Sequence, residues 1–356
     1  MKIGDIDKAV LEKFRKGMVI PAMPLVLTGE RVFDPVAQEV LTRYYMDAGA
    51  GGIAVGVHST QFAIREHGLF EPVLSCVSDA ADRWSRKTGN TILKVSGACG
   101  KRKQAVVEAG FARKTGYHAV LLNLMAMKDD GISAMIDHCA AVADEIPLIG
   151  FYLQSAVGGP DLPFSFWKEF MKIPNVLGIK IAPFNRYKTF DVVRALCEAG
   201  KENEITLYTG NDDNIVPDLI TEYKIECGGC HKKVHIRGGL LGHWCVWTRK
   251  AVTLLDEVHA LLDSGKDVPH ELLTRGMEIT DCNAAFFDAA NQFAGCIPGI
   301  HEVLRRQGLM KGVWCLDPSE TLSPGQREEI TRVYDTYPHL NDDDFVKAGI
   351  GKWLEG

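Results

Sequence analysis

Short apolar runs rich in β-branched residues alternate with longer segments of helical period along the first two-thirds of the chain. The runs are MVIPAMPL, GGIAVGVH, TILKVSGA, HAVLLNLM, PLIGFYL, VLGIKIA, EITLYTG and GGLLGHWC. They are continuous rather than alternating, as parallel strands buried on both faces are. Helical patterns fill the gaps. DPVAQEVLTRYYMDAG predicts one, with Asp34 as N-cap, Pro35 in the first turn and Gly49 as the stop. Strand then helix, eight times over, predicts an α/β fold of the closed (β/α)8 TIM-barrel type. A doubly wound open sheet is the competing architecture; no G-x-G-x-x-G turn follows the first strand to favour it.

After the eighth run the pattern turns wholly helical, from RKAVTLLDEVHALLDSG to SPGQREEITRVYDTYP. The expected organisation is a barrel over 1–248 and a C-terminal helical extension over 249–356, packed on it. One insert, KIECGGCHKKVHI, breaks the rhythm before the eighth run and is expected to be an exposed excursion.

Composition narrows the function classes. Hydrophobic residues make up 46% and charged residues 24%, as in a soluble globular protein. With 40 basic against 46 acidic residues the net charge is -6, which supplies no basic field for nucleic acid or an anionic membrane. No apolar run approaches the roughly 18–20 residues of a spanning helix. The opening MKIGDIDKAVLEKFRKG lacks the apolar segment of a secretory leader, so a cytoplasmic location is expected. Most of the ten cysteines stand singly in apolar segments, as small buried hydrophobes.

Lys180 is the anomaly of the sixth run, an ammonium in the middle of PNVLGIKIAPF. Near the end of a barrel strand, an amine in a low-dielectric interior is pushed toward its neutral form, which attacks ketones to give a Schiff base. The bland alternative is a lysine whose head escapes to the rim. Tyr152 ends the fifth run, where a phenol can shuttle protons or simply be wet. Gly56, His58, Ser59 and Thr60 close the second run and can present N–H groups to a carboxylate. In the insert, Cys227-Gly-Gly-Cys230-His231 has the haem-attachment pattern, and His235 adds a further zinc ligand; the crowded spacing and the missing second ligand pair favour a loop with two thiols instead. KVSGACGKRKQ, with Gly97 and Gly100, reads as a helix cap rather than a phosphate loop.

LIGFYL followed, 28 positions after Tyr152, by the lysine of VLGIK resembles the paired signature of the dihydrodipicolinate synthase / N-acetylneuraminate lyase family. TGNDDNIVPDLI, GCIPGIHEVLRRQGLM and PAMPLVL resemble further family segments, and the likeness runs from about Lys16 to Pro338. It implies a lysine, Lys180, that forms an imine with pyruvate or a related 2-oxo acid. It also implies a proton-relaying tyrosine, Tyr152, no cofactor or metal, and a homo-oligomer, tetramer or dimer. Three departures stand out. Val57 replaces a relay threonine, LLNLMAMKDD lacks the synthase's second tyrosine, and Val157 falls near an expected arginine. The resemblance therefore implies a carbon–carbon lyase or aldolase rather than a true dihydrodipicolinate synthase. A dehydratase of a sugar-derived 2-oxo acid and a non-catalytic 2-oxo acid-binding barrel are the alternatives.

Overall fold

The computed structural model describes residues 1–355. All eight apolar runs form strands: β1 Val19–Pro21, β2 Gly52–Val55, β3 Leu93–Ala98, β4 Ala119–Leu122, β5 Leu148–Leu153, β6 Val176–Ala182, β7 Thr206–Thr209 and, after a hairpin, β10 Gly238–Leu241. They make one sheet in the order β1-β10-β7-β6-β5-β4-β3-β2, and the recorded registers within it are parallel. A parallel bridge from Ala22 to Ala54 brings its two ends together. With helices between the strands, this is a nearly closed (β/α)8 barrel.

The helices are α1 Lys8–Lys16, α2 Pro35–Asp47, α3 Phe70–Thr88, α4 Arg102–Lys114, α5 Ile132–Glu145, α6 Phe164–Phe170, α7 Arg186–Glu198 and α8 Ile215–Ile220, then α9 Thr248–Ser264, α10 His270–Phe287, α11 Cys296–Arg306, α12 Gln326–Thr336 and α13 Asp343–Glu355. α2 begins as its sequence dictates, with the Asp34 carboxylate accepting from the Ala37 N–H at 3.0 Å and Pro35 in the first turn. Among the described residues no helix is long and apolar enough to cross a membrane.

The insert is a two-stranded antiparallel ribbon, β8 Tyr223–Cys227 and β9 Cys230–Val234. Gly228 and Gly229 turn it, with φ of 60° and 81°. Two adjacent residues in the left-handed region are what a two-residue hairpin turn requires, and glycine adopts them without strain.

Strands give way to helices after β10. Contacts group the chain into Met1–Met18 with Leu93–Leu240, and Val19–Ile92 with Leu241–Gly356. In the first unit α1 sends Phe14 into the barrel, where its ring stacks on Tyr208 at 4.6 Å. The Tyr208 hydroxyl donates to the Phe14 carbonyl at 2.7 Å. In the second unit the C-terminal helices wrap α2. The buried Tyr44 hydroxyl donates to Asp342 at 2.8 Å and accepts from the Thr248 N–H, and its ring meets Trp353 edge-on at 5.5 Å.

Candidate active site

Strand parity decides which side chains enter the barrel, because successive residues point to opposite faces. Phe151 pairs with Lys180, and Lys180 with Tyr208. Tyr208 meets Phe14 inside the barrel, so all three in-register residues face inward. Lys180 is only 7% exposed. Its Nζ lies 4.5 Å from the centre of the Phe151 ring. The stem runs under Gly210, where an added Cβ would stand 2.5 Å from Lys180 Cε and 3.0 Å from Cγ. Gly210 lies two residues beyond Tyr208, so the amine leans toward the C-terminal ends of the strands, the face that carries chemistry in such barrels.

The glycine of the GIK sequence has its own reason. A Cβ on Gly178 would meet the Thr206 carbonyl at 2.7 Å and the Phe14 ring at 2.9 Å. The barrel below Lys180 is therefore filled by Phe14 and Tyr208.

The structure does not bring Tyr152 alongside Lys180. Tyr152 pairs with Ile181, one residue out of phase, and so lies on the outer face of β5. Its ring packs on Trp167 of α6 at 5.4 Å. Its hydroxyl donates to Asp161 at 3.0 Å and accepts from the Leu162 N–H at 3.3 Å. Lys188 of α7 completes the cluster, 2.7 Å from the same Asp161 oxygen. Burial and the adjoining Asp161 carboxylate hold the phenol well above its usual range. The Lys188 ammonium holds the Asp161 carboxyl below its own. This cluster ties the loop between β5 and α6 to the outer layer. The aromatic side chain beside the amine is Phe151, which the sequence places next to Tyr152 but does not distinguish from it.

A second group missed from the sequence organises the loops after β6 and β7. Asp218 of α8 is buried, accepting from Thr209 Oγ1 at 2.7 Å, Asn211 Nδ2 at 2.8 Å and Asn214 Nδ2 at 2.9 Å, and pairing with Arg186. Asn211 in turn accepts from the N–H of Phe184, whose φ is 50°. A non-glycine residue there is strained and needs such a clamp. The run of Asn and Asp in TGNDDNIVPD is the signal that points to it.

His58, Ser59 and Thr60 form a single helical turn after β2. Both hydroxyls donate backward, Ser59 Oγ to the Ala22 carbonyl at 2.5 Å and Thr60 Oγ1 to the Met23 carbonyl at 2.6 Å. Thr60 Oγ1 also accepts from the Gly56 N–H. Their side chains fix the turn, and the backbone N–H groups at its start are what it has to present. The His58 ring lies 5.8 Å from Phe62. Val57 is buried and apolar.

The remaining motifs resolve into local structure. In the turn before α4, Glu108 accepts from the Cys99 N–H at 3.0 Å and from Gln104 at 2.8 Å, so a carboxylate takes the donors a phosphate would need. Cys227 and Cys230 face each other across the hairpin turn as free thiols. Among the described residues no group of three or more His, Cys, Asp or Glu is arranged to hold a metal ion.

No protein-family model matches the chain. A 4-hydroxy-tetrahydrodipicolinate synthase of Caldicellulosiruptor bescii is 33% identical over 129 residues, 32% of this chain and 41% of that protein. The match thus spans about two-fifths of the relative's length. Among solved structures, the dihydrodipicolinate synthase of Acinetobacter baumannii complexed with pyruvate superposes with a TM-score of 0.70 at 16% identity, over 90% of this chain and 98% of that one. CdNal of Clostridium difficile, in complex with mannosamine, superposes with a TM-score of 0.69 at 13% identity, over 90% and 99%. The resemblance read from the sequence is thus shown in the fold over nine-tenths of the chain and in the sequence over about a third of it.

Proposed function

We propose that the chain is a Schiff-base lyase of the aldolase type, acting on pyruvate or a related 2-oxo acid. One observation carries the reading: a lysine amine buried inside a barrel strand and directed at the C-terminal face, in a fold shared with a pyruvate-complexed synthase. The Lys180 amine attacks the C2 ketone to give a carbinolamine, and loss of water leaves a protonated imine. That cation accepts the electron pair released by carbon–carbon cleavage, storing it as an enamine until a proton returns. The same intermediate supports loss of a β-proton and water from a sugar-derived 2-oxo acid.

Tyr152 enters this reading as a positioning residue. The place beside the amine is held by Phe151, and the residue after Gly56 is Val57, so neither offers a proton. The pair of apolar side chains also favours a second reading, a barrel that captures a 2-oxo acid as an imine without turning it over.

Borohydride reduction in the presence of pyruvate, followed by peptide mass spectrometry, tests the proposal. The expected adduct lies on the peptide holding Lys180, is absent in Lys180→Ala and persists in Tyr152→Phe. Reduction that leaves Lys180 unmodified removes the lyase and the capturing barrel together. Adduct without product release from any 2-oxo acid tested selects the second. By the same likeness the chain is proposed to work as a homo-oligomer; a single-subunit mass in sedimentation removes the oligomer.

A further inference from the structure

The β8–β9 hairpin departs from the strand–helix rhythm, yet it is fastened to the body. Lys232 Nζ donates to the Cys197 carbonyl at 2.8 Å and pairs with Glu202 at 2.8 Å. The chain leaving β9 passes through His235 and Arg237 into β10, with the Arg237 N–H donating to the Leu207 carbonyl at 2.9 Å. Together with the last turn of α1 and the turn after α7, this segment encloses a cleft of about 220 Å³.

Arg15, Lys233 and Arg237 line it from two segments more than two hundred residues apart. Glu202 is the one carboxylate on its wall, and Lys232 already neutralises it. Lys233 leans on Glu222 at 3.1 Å, outside the lining. Arg15 has no carboxylate partner among the described residues. In a chain of net charge -6, three cations around one pocket are a local concentration of positive charge that attracts an anion. His235 lines the same cleft, and burial, then Arg237, hold its imidazole below the usual range, which leaves a neutral ring able to donate one N–H. Thr206 adds a hydroxyl on the floor.

We propose that this cleft binds a compact oxyanion of the phosphate type. Two guanidinium forks and an ammonium suit a tetrahedral dianion with several acceptor oxygens. The volume exceeds that of bare phosphate and leaves space for a small esterified group. The cleft opens where Thr206 begins β7 and Arg237 precedes β10, at the N-terminal ends of the strands, whereas the Lys180 amine leans toward the C-terminal ends. The inference does not depend on imine chemistry and survives its failure.

Thermal melting and calorimetric titration of the full chain test it, with inorganic phosphate, glycerol 3-phosphate and sodium chloride at matched ionic strength. The expected result is a saturable rise in the melting midpoint with the phosphates and none with chloride. Arg15→Gln and Arg237→Gln should each weaken binding about five-fold or more, as loss of a charge-assisted contact does. Lys347→Gln on α13 should leave it unchanged. An ester that binds tighter than free phosphate identifies a phosphorylated metabolite, and equal affinities identify phosphate itself; either supports the site. A midpoint that follows ionic strength alone, or binding unchanged in the arginine variants, overturns it. Should Arg237→Gln lose its circular dichroism, the exposed Arg15→Gln decides the matter.

Discussion

Gly210 fixes the course of the Lys180 side chain, since it leaves the space through which Cγ and Cε pass. Alanine there would place a methyl group 2.5 Å from Cε and 2.7 Å from Ala182 Cβ, too close for any of them to stay. We expect Gly210→Ala to slow borohydride trapping at least ten-fold while the far-ultraviolet dichroism stays that of the wild type. Trapping at the wild-type rate would show that the amine has another way to the mouth. Lys180 itself is readable in the sequence, because a charge in the middle of an apolar strand needs a reason. The face of its aromatic neighbour is not. Phe151 and Tyr152 are adjacent and both suit a buried strand. A spacing of 28 residues to the lysine carries no information on parity. The register also slips where Leu148 pairs with Val176 and Ile149 with Gly178, so counting along β5 and β6 loses a residue.

At the scale of elements, the eight barrel strands are legible because each is buried on both faces and reads as an unbroken apolar run. The hairpin is harder to see. It is exposed, carries Lys224, Glu226, Lys232 and Lys233, and buries only Ile225 and Val234. Its Gly-Gly centre is nonetheless the hairpin turn that such a pair of residues forms, and the strands on either side follow from it. α1 looks like an ordinary amphipathic leader to the barrel until Phe14 is found inside β6 and β7. Phe14→Ala would empty that space and strand the Tyr208 ring, and a loss of about 3–5 kcal/mol is expected. Urea denaturation measures it; a loss below about 1 kcal/mol would mean that the interior collapses around the gap.

For the whole molecule, acid is the informative perturbation. Burial pushes the imidazoles of His243 and His301 down to about 4, against an ordinary value of 6.5. Above pH 6.5 both the folded and unfolded chains hold these rings neutral, and nothing is lost. As pH falls from 6.5 toward 4, the unfolded chain takes up protons that the folded chain refuses, so folding weakens, by about 3 kcal/mol for each ring once pH is below both values. The urea midpoint should therefore drop across that interval, and His301→Gln should flatten part of the drop. A midpoint that is level between pH 7 and 4.5 would contradict the burial of both rings. The grouping of the chain into two units is not legible from its pattern. Residues 19–92 and 241–356 make one unit only because distant elements such as α2 and α13 meet, and periodicity speaks for neighbours along the chain alone.

The Phe14–Tyr208 stack joins the earliest part of the polypeptide to a strand made nearly two hundred residues later. On the ribosome, the first helix must wait for most of the barrel to emerge before it has anywhere to dock. The packing beneath Lys180 is therefore complete only once synthesis has passed the seventh strand.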